Sequence, residues 1–280
     1  MHFCLILLAL LSSPAILAHG LIHEQLKSTD QRIAKEPNNA ALYVHRGRLY
    51  LDDDHTDMAI KDFRRALKIE PSHRAAHYFL GEALLNQQDP VGAERESRAF
   101  IAALGEDDNG GLMRGYRLLG HSLMGQKKSL EAAEAYQLTI KHAVEPTPSL
   151  YLECAAAYRS ADKENLPKAL AILDEGIAKL GPLTSLQEAA IEINLQENQV
   201  DAGIARLDSL IALGKGTEQW LFRKGDILIK AGRIAEGCQA YKQALAAISA
   251  VSVKRKTVSL DKLKQSVESA LAGNDNDNCR

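Results

Sequence analysis

The chain has 280 residues, 46% of them hydrophobic and 25% charged, which places it among globular proteins and excludes a disordered or fibrous class. A formal net charge of −2 excludes bulk attraction to nucleic acid or anionic lipid. Aromatics are only 5% while Ala and Leu are abundant, a composition suited to many helices with small residues between them.

The first segment, MHFCLILLALLSSPAILAHG, predicts a secretory signal peptide over residues 1–20. An apolar run from Phe3 to Leu11 is followed by a Ser-Ser-Pro break and small residues, although no Lys or Arg precedes the run. Cleavage after Ala18 and after Gly20 fit equally well, and no integral membrane span is expected after it. Export leaves Cys154, Cys238 and Cys279 in the mature chain. With no Asn-x-Ser/Thr sequon anywhere, the expected location is the bacterial periplasm or outside the cell. Cleavage after Ala18 would make His19 the first residue, with His23 one helical turn on. An amine and imidazoles suit copper(II), so metal binding there is the alternative function.

Residues 21–39 hold HEQLKSTDQRIAKEP, which has the pattern of a second helix lacking its first, an N-terminal capping half-repeat. A repeating frame then occupies residues 40–247. Small residues recur twelve apart as Gly47 and Ala59, Gly81 and Ala93, Gly120 and Ala132, Ala190 and Ala202, Gly225 and Gly237. Between Ala155 and Ala169 the spacing is fourteen, and the first members are separated by 34, 39, 35, 35 and 35 residues. Four residues after the second small residue stands a large one, Phe63, Tyr136, Leu173 or Tyr241; Ser97 and Arg206 take that place in the second and fifth units. Offsets of three and four put such groups on one helical face. Each unit therefore predicts two short helices, with DDDHT, NQQDP, GQKKS, ADKENLP, QENQV and KAGR as the intervening turns. The acidic cluster Asp52, Asp53, Asp54 and His55 is accordingly a turn and not a metal site, with Thr56 expected as the N-cap of the next helix.

GEDDNGG, from Gly105 to Gly111, reads as an inserted acidic loop that accounts for the 39-residue step. GKG at Gly214–Gly216 lacks the spacing of a phosphate-binding loop. No zinc-protease, Cys-x-x-Cys or nucleophile-elbow motif occurs, so neither an enzyme nor a cofactor is expected. Residues 248–280 hold an amphipathic segment, SLDKLKQSVESALAG, and a polar tail. Its Leu260, Leu263, Val267 and Leu271 predict a C-terminal capping helix ended by Gly273. Cys154 occupies a large-apolar position and is expected as a buried thiol, whereas Cys238 and Cys279 form a possible disulfide that staples the cap to the array.

The best repeat reads Tyr43-x2-Arg46-Gly47-x2-Tyr50, then Ala59-x3-Phe63, Ala66 and Pro71. This resembles the tetratricopeptide repeat family, whose unit is a helix–turn–helix of about 34 residues. Arg46 and Lys224 stand where that pattern has Leu. Six repeats are expected, and the resemblance implies an all-α, right-handed superhelical array with capping helices at both ends. It also implies a non-enzymatic scaffold that binds a protein or peptide in a concave groove lined by the first helix of each repeat. The residues exposed there would be Arg48, Tyr78, Arg114, Arg117, His121 and Arg159, a basic and partly aromatic strip suited to an acidic segment of a partner protein. The Lys/Asn clamp of the chaperone-binding members is absent.

Overall fold

Helical periodicity and polar turns give a chain whose described residues fold into helices joined by turns. The computed structural model describes residues 14–251 and 257–273, with side chains described from residue 21 onward. Among them there is no strand, and the α-helices in order are α1 (Pro14–Lys35), α2 (Ala40–Asp52), α3 (Thr56–Ile69), α4 (Arg74–Asn86), α5 (Pro90–Ala102), α6 (Asn109–Gly125) and α7 (Ser129–His142), followed by α8 (Pro148–Ala161), α9 (Leu166–Leu180), α10 (Thr184–Gln196), α11 (Val200–Ala212), α12 (Thr217–Lys230), α13 (Ile234–Ala250) and α14 (Val258–Gly273). Residues 1–13, most of the expected signal peptide, and residues 274–280 lie outside the described residues.

The chain divides into two compact units, Met1–Pro146 and Thr147–Arg280. In the first, α2 packs on α3, α4 on α5 and α6 on α7, while α1 covers α2. The first helices α2, α4 and α6 also touch one another in that order, so they lie side by side on one face of the unit. In the second unit the pairs are α8 with α9, α10 with α11 and α12 with α13, and α14 closes on α13. Leu260 and Val267 of α14 are buried with Leu221, Tyr241, Ala244 and Ile248, so the amphipathic C-terminal segment covers the last apolar face.

Five of the six turns share one backbone device. Asp54, Gln88, Lys127, Asn198 and Gly232 all have positive φ, between 57° and 78°. The residue after each donates its N–H to the carbonyl five positions earlier, as in His55 to Tyr50 (2.7 Å) and Gln199 to Asn194 (2.7 Å). This left-handed closure satisfies carbonyls at the end of the first helix and starts the second. It corrects one expectation: Thr56 is the first residue of α3, and His55 is its N-cap without a side-chain cap bond. The fourth repeat lacks the device and inserts a short 3-10 turn, Lys163–Asn165, which accounts for its spacing of fourteen.

The small residues are sites of close approach between the two helices of a repeat. A Cβ on Gly47 would lie 2.5 Å from the Phe63 ring, one on Gly120 would lie 2.5 Å from Tyr136, and one on Gly225 would lie 2.3 Å from Tyr241. The large residue four after the second small position therefore rests on the first. In the second repeat Ser97 is too small to do so, and Leu118 of the next first helix fills the space over Gly81.

Two further expectations are corrected. In the fifth repeat Ala202 is exposed, and Gly203, three residues into α11, is buried instead. The frame there is one residue later than the one drawn through Ala190 and Ala202, and Leu207, fully buried, is its large residue. Arg206 therefore replaces nothing. GEDDNGG is only partly a loop: Asn109, Gly110 and Gly111 belong to α6, whose N-cap Asp108 accepts the Gly111 N–H at 2.9 Å.

Candidate binding face

On the first-helix face of the first unit, α4 contributes Tyr78 and Phe79, which lie edge to face with centroids 5.3 Å apart. Phe79 stacks on Phe63 beneath it and Tyr78 leans on Phe100, so both rings stand on the core. Each carries a guanidinium from a neighbouring first helix. Arg48 of α2 lies 4.8 Å from the Phe79 centroid, and Arg114 of α6 lies 5.7 Å from that of Tyr78. Cation–π attraction positions both arginines without consuming their hydrogen-bond donors. Among the described residues neither meets a carboxylate; Arg114 donates only to the Gly110 carbonyl, at 3.3 Å.

Glu82, one turn after Tyr78, accepts the Tyr78 hydroxyl at 2.6 Å. Burial first, and then this bond, raises the Tyr78 phenol above its ordinary value of 10.0, while Arg114 and Arg117 pull it the other way. At neutral pH Tyr78 is thus a hydroxyl donor to Glu82. Arg117 is half-buried on α6 and close enough to Tyr78 to act on it. His121, exposed on the same helix, has its Nδ1 3.0 Å from the Tyr136 hydroxyl, so this ring is tied to its own repeat.

Of the expected strip, the structure brings Tyr78, Arg114 and Arg117 together and sets Arg48 beside them on Phe79. Arg159 belongs to the second unit, exposed near the end of α8. In that unit Arg223 of α12 reaches Glu188 of α10 at 3.2 Å and also bonds Glu192. Sequence reasoning missed Phe79 and Phe100, whose rings support the arginines. The adjacent aromatics in HYFLG were the available signal.

The other expected sites give less. His23 is exposed on α1, and the side chain of His19 lies outside the described residues. Among the described residues no group of three His, Cys, Asp or Glu side chains is placed to hold a metal ion. No described helix is long and apolar enough to cross a membrane. Cys154 is fully buried, as expected, and burial pushes its thiol up to about 12. Cys238 is buried and disulfide-bonded, and Cys279 lies outside the described residues.

Residues 44–108 match the family described as Tetratricopeptide repeat. A relative from Cryptococcus neoformans, named as a tetratricopeptide repeat and J domain-containing co-chaperone, is 26% identical over 129 residues, which is 45% of this chain and only 24% of its own length. Among solved structures, the C-terminal part of a TPR repeat-containing protein from Cytophaga hutchinsonii superposes with a TM-score of 0.63 at 16% identity, covering 88% of this chain and 95% of that one. A tetratricopeptide repeat protein from Parabacteroides merdae gives 0.52 at 12% identity, over 91% and 95% of the two chains. At these identities what is shared is the fold.

Proposed function

We propose that this chain, whose residues 44–108 match the tetratricopeptide repeat family and whose fold is shared with solved tetratricopeptide repeat proteins, is a non-enzymatic scaffold whose first unit binds an acidic segment of a partner protein across α2, α4 and α6. The observation that carries this reading is the pair of aromatic-stacked arginines, Arg48 and Arg114, neither matched by an acid among the described residues. A guanidinium held over a ring keeps its planar donor edge available for a carboxylate, and the bidentate geometry favours an anionic peptide over a neutral one. Arg117 adds charge at the same place. On the first-helix surface of the second unit, by contrast, Arg223 is bound by two glutamates.

The same reading places the protein in the cell envelope, periplasmic or secreted. Its support is the apolar run and the Ser-Ser-Pro break of the first segment. Mass spectrometry of the mature chain is expected to find a start at His19 or Leu21.

Affinity purification from intact envelopes tests the binding function. The full chain is expected to retain a partner that the Arg114→Ala/Arg117→Ala variant loses while keeping its helical content. Equal retention by that variant at physiological salt would refute the site.

A further inference from the structure

Beside this face, where α4 and α6 begin, lies a cavity of about 450 Å³. Its apolar wall is made by Ala75, Tyr78, Phe79, Phe100 and Leu104, and Arg114 stands at its rim. The last turn of α5 and the two loops before α4 and α6 complete its sides, and it shares Tyr78, Phe79 and Arg114 with the strip of first-helix side chains. Arg74 and Asp108, 3.6 Å apart, span the opening, and the second oxygen of Asp108 is already taken by the Gly111 N–H.

We propose that this cavity receives an aromatic side chain of the bound segment, with an adjacent Asp or Glu of that segment on Arg114. The proposal rests on the binding face described above and names what that face selects. Three observations converge on the ligand. The volume lies within the range of pockets that enclose a ring together with its neighbouring backbone. The walls present the rings of Tyr78, Phe79 and Phe100, against which another ring packs offset or edge to face. The one rim cation that meets no carboxylate among the described residues is Arg114, lying over Tyr78, so an acid next to the inserted ring meets an available guanidinium. An acidic segment with no large apolar residue would leave the cavity wet. A purely apolar one would leave Arg114 unmatched.

Random peptides displayed on phage and selected against the full chain test this directly. Enriched sequences are expected to share an aromatic residue beside Asp or Glu. A fluorescein-labelled peptide of the leading sequence should bind at least about tenfold more weakly when its aromatic residue is replaced by Ala, the order expected for one buried ring. Ala75→Trp, which fills the cavity, should produce the same loss, and Leu104→Glu, which places a charge on its wall, provides a second variant if the first perturbs the helices. Enriched peptides without an aromatic residue would overturn the pocket, as would no enrichment over an unrelated helical protein. Unchanged affinity in both cavity variants would overturn it too. If Arg114→Ala/Arg117→Ala still abolishes binding in that last case, the acidic-segment reading stands and the pocket alone fails.

Discussion

His77 and Glu96 form an ion pair across the two helices of the second repeat, with Nδ1 2.8 Å from Oε2 and only 15% and 7% of the side chains exposed. The other imidazole nitrogen lies 2.9 Å from the Pro71 carbonyl. Both partners are acceptors, so both ring nitrogens must donate and the ring is held as the imidazolium. In the first repeat the same slot holds Tyr43, whose hydroxyl donates to the Pro37 carbonyl at 3.0 Å. His77 keeps that bond and adds a charge.

A pH dependence of stability follows. The Glu96 bond outweighs burial and raises His77 above its ordinary 6.5; burial opposes, but bonds from His77 and Arg95 overcome it and hold Glu96 below its ordinary 4.5. A raised histidine contributes fully below pH 6.5 and loses that contribution as pH climbs through its folded value. A lowered glutamate contributes above pH 4.5 and loses it as pH falls through its folded value. The pair therefore stabilises most between those two ordinary values. Urea titrations across pH should show a decline of about 1–2 kcal/mol on the alkaline side, which His77→Gln removes. An identical profile in that variant would contradict the imidazolium.

Glycine substitutions probe the packing between paired helices. Gly47→Ala and Gly225→Ala each bring a methyl within 2.5 Å of a buried ring and should cost about 1–3 kcal/mol. Gly110→Ala, where nothing lies within 4 Å, should be neutral or stabilising by about 0.5–1 kcal/mol as a helical glycine replaced by alanine. Equal effects at all three positions in thermal unfolding would exclude the close approach.

Arg46 takes two bonds to Asp62, at 2.7 and 2.6 Å, and one to Asp30 at 2.7 Å, so it ties α2 to both α3 and α1. Asp62 is only 5% exposed. Arg46→Leu should cost about 3 kcal/mol by stranding that carboxylate, and adding Asp62→Ala should recover most of the loss. A double-mutant cycle with coupling near zero would contradict the network.

The repeat was legible because its small and large residues keep a fixed spacing, and the arginine strip followed from the face they define. Three features were not. Ala190, Ala202 and Gly203 are all small, so composition could not resolve a one-residue offset that burial resolves at once. Gln88 and Lys127 adopt left-handed turns that their side chains do not favour; the hairpin imposes them. The cavity draws its sides from Leu104, Asp108 and the residues before α4, loop positions that no periodicity places.

Removing residues 260–273 should expose Tyr241, Ala244 and Ile248, which α14 covers. The expected result is a lower midpoint in urea and concentration-dependent light scattering. Unchanged stability and solubility would refute the capping role.

Site-specific photo-crosslinking tests the central claim most directly. Benzoylphenylalanine replaces Ala41, which is exposed on α2 at the repeat position of Arg114, or Lys61, exposed on α3 of the same repeat. Irradiation of cells that produce the chain should yield a discrete protein adduct from position 41, lost when Arg114→Ala/Arg117→Ala is combined with it, and none from position 61. Adducts of equal yield from both positions, or from position 61 alone, would contradict a partner bound on α2, α4 and α6.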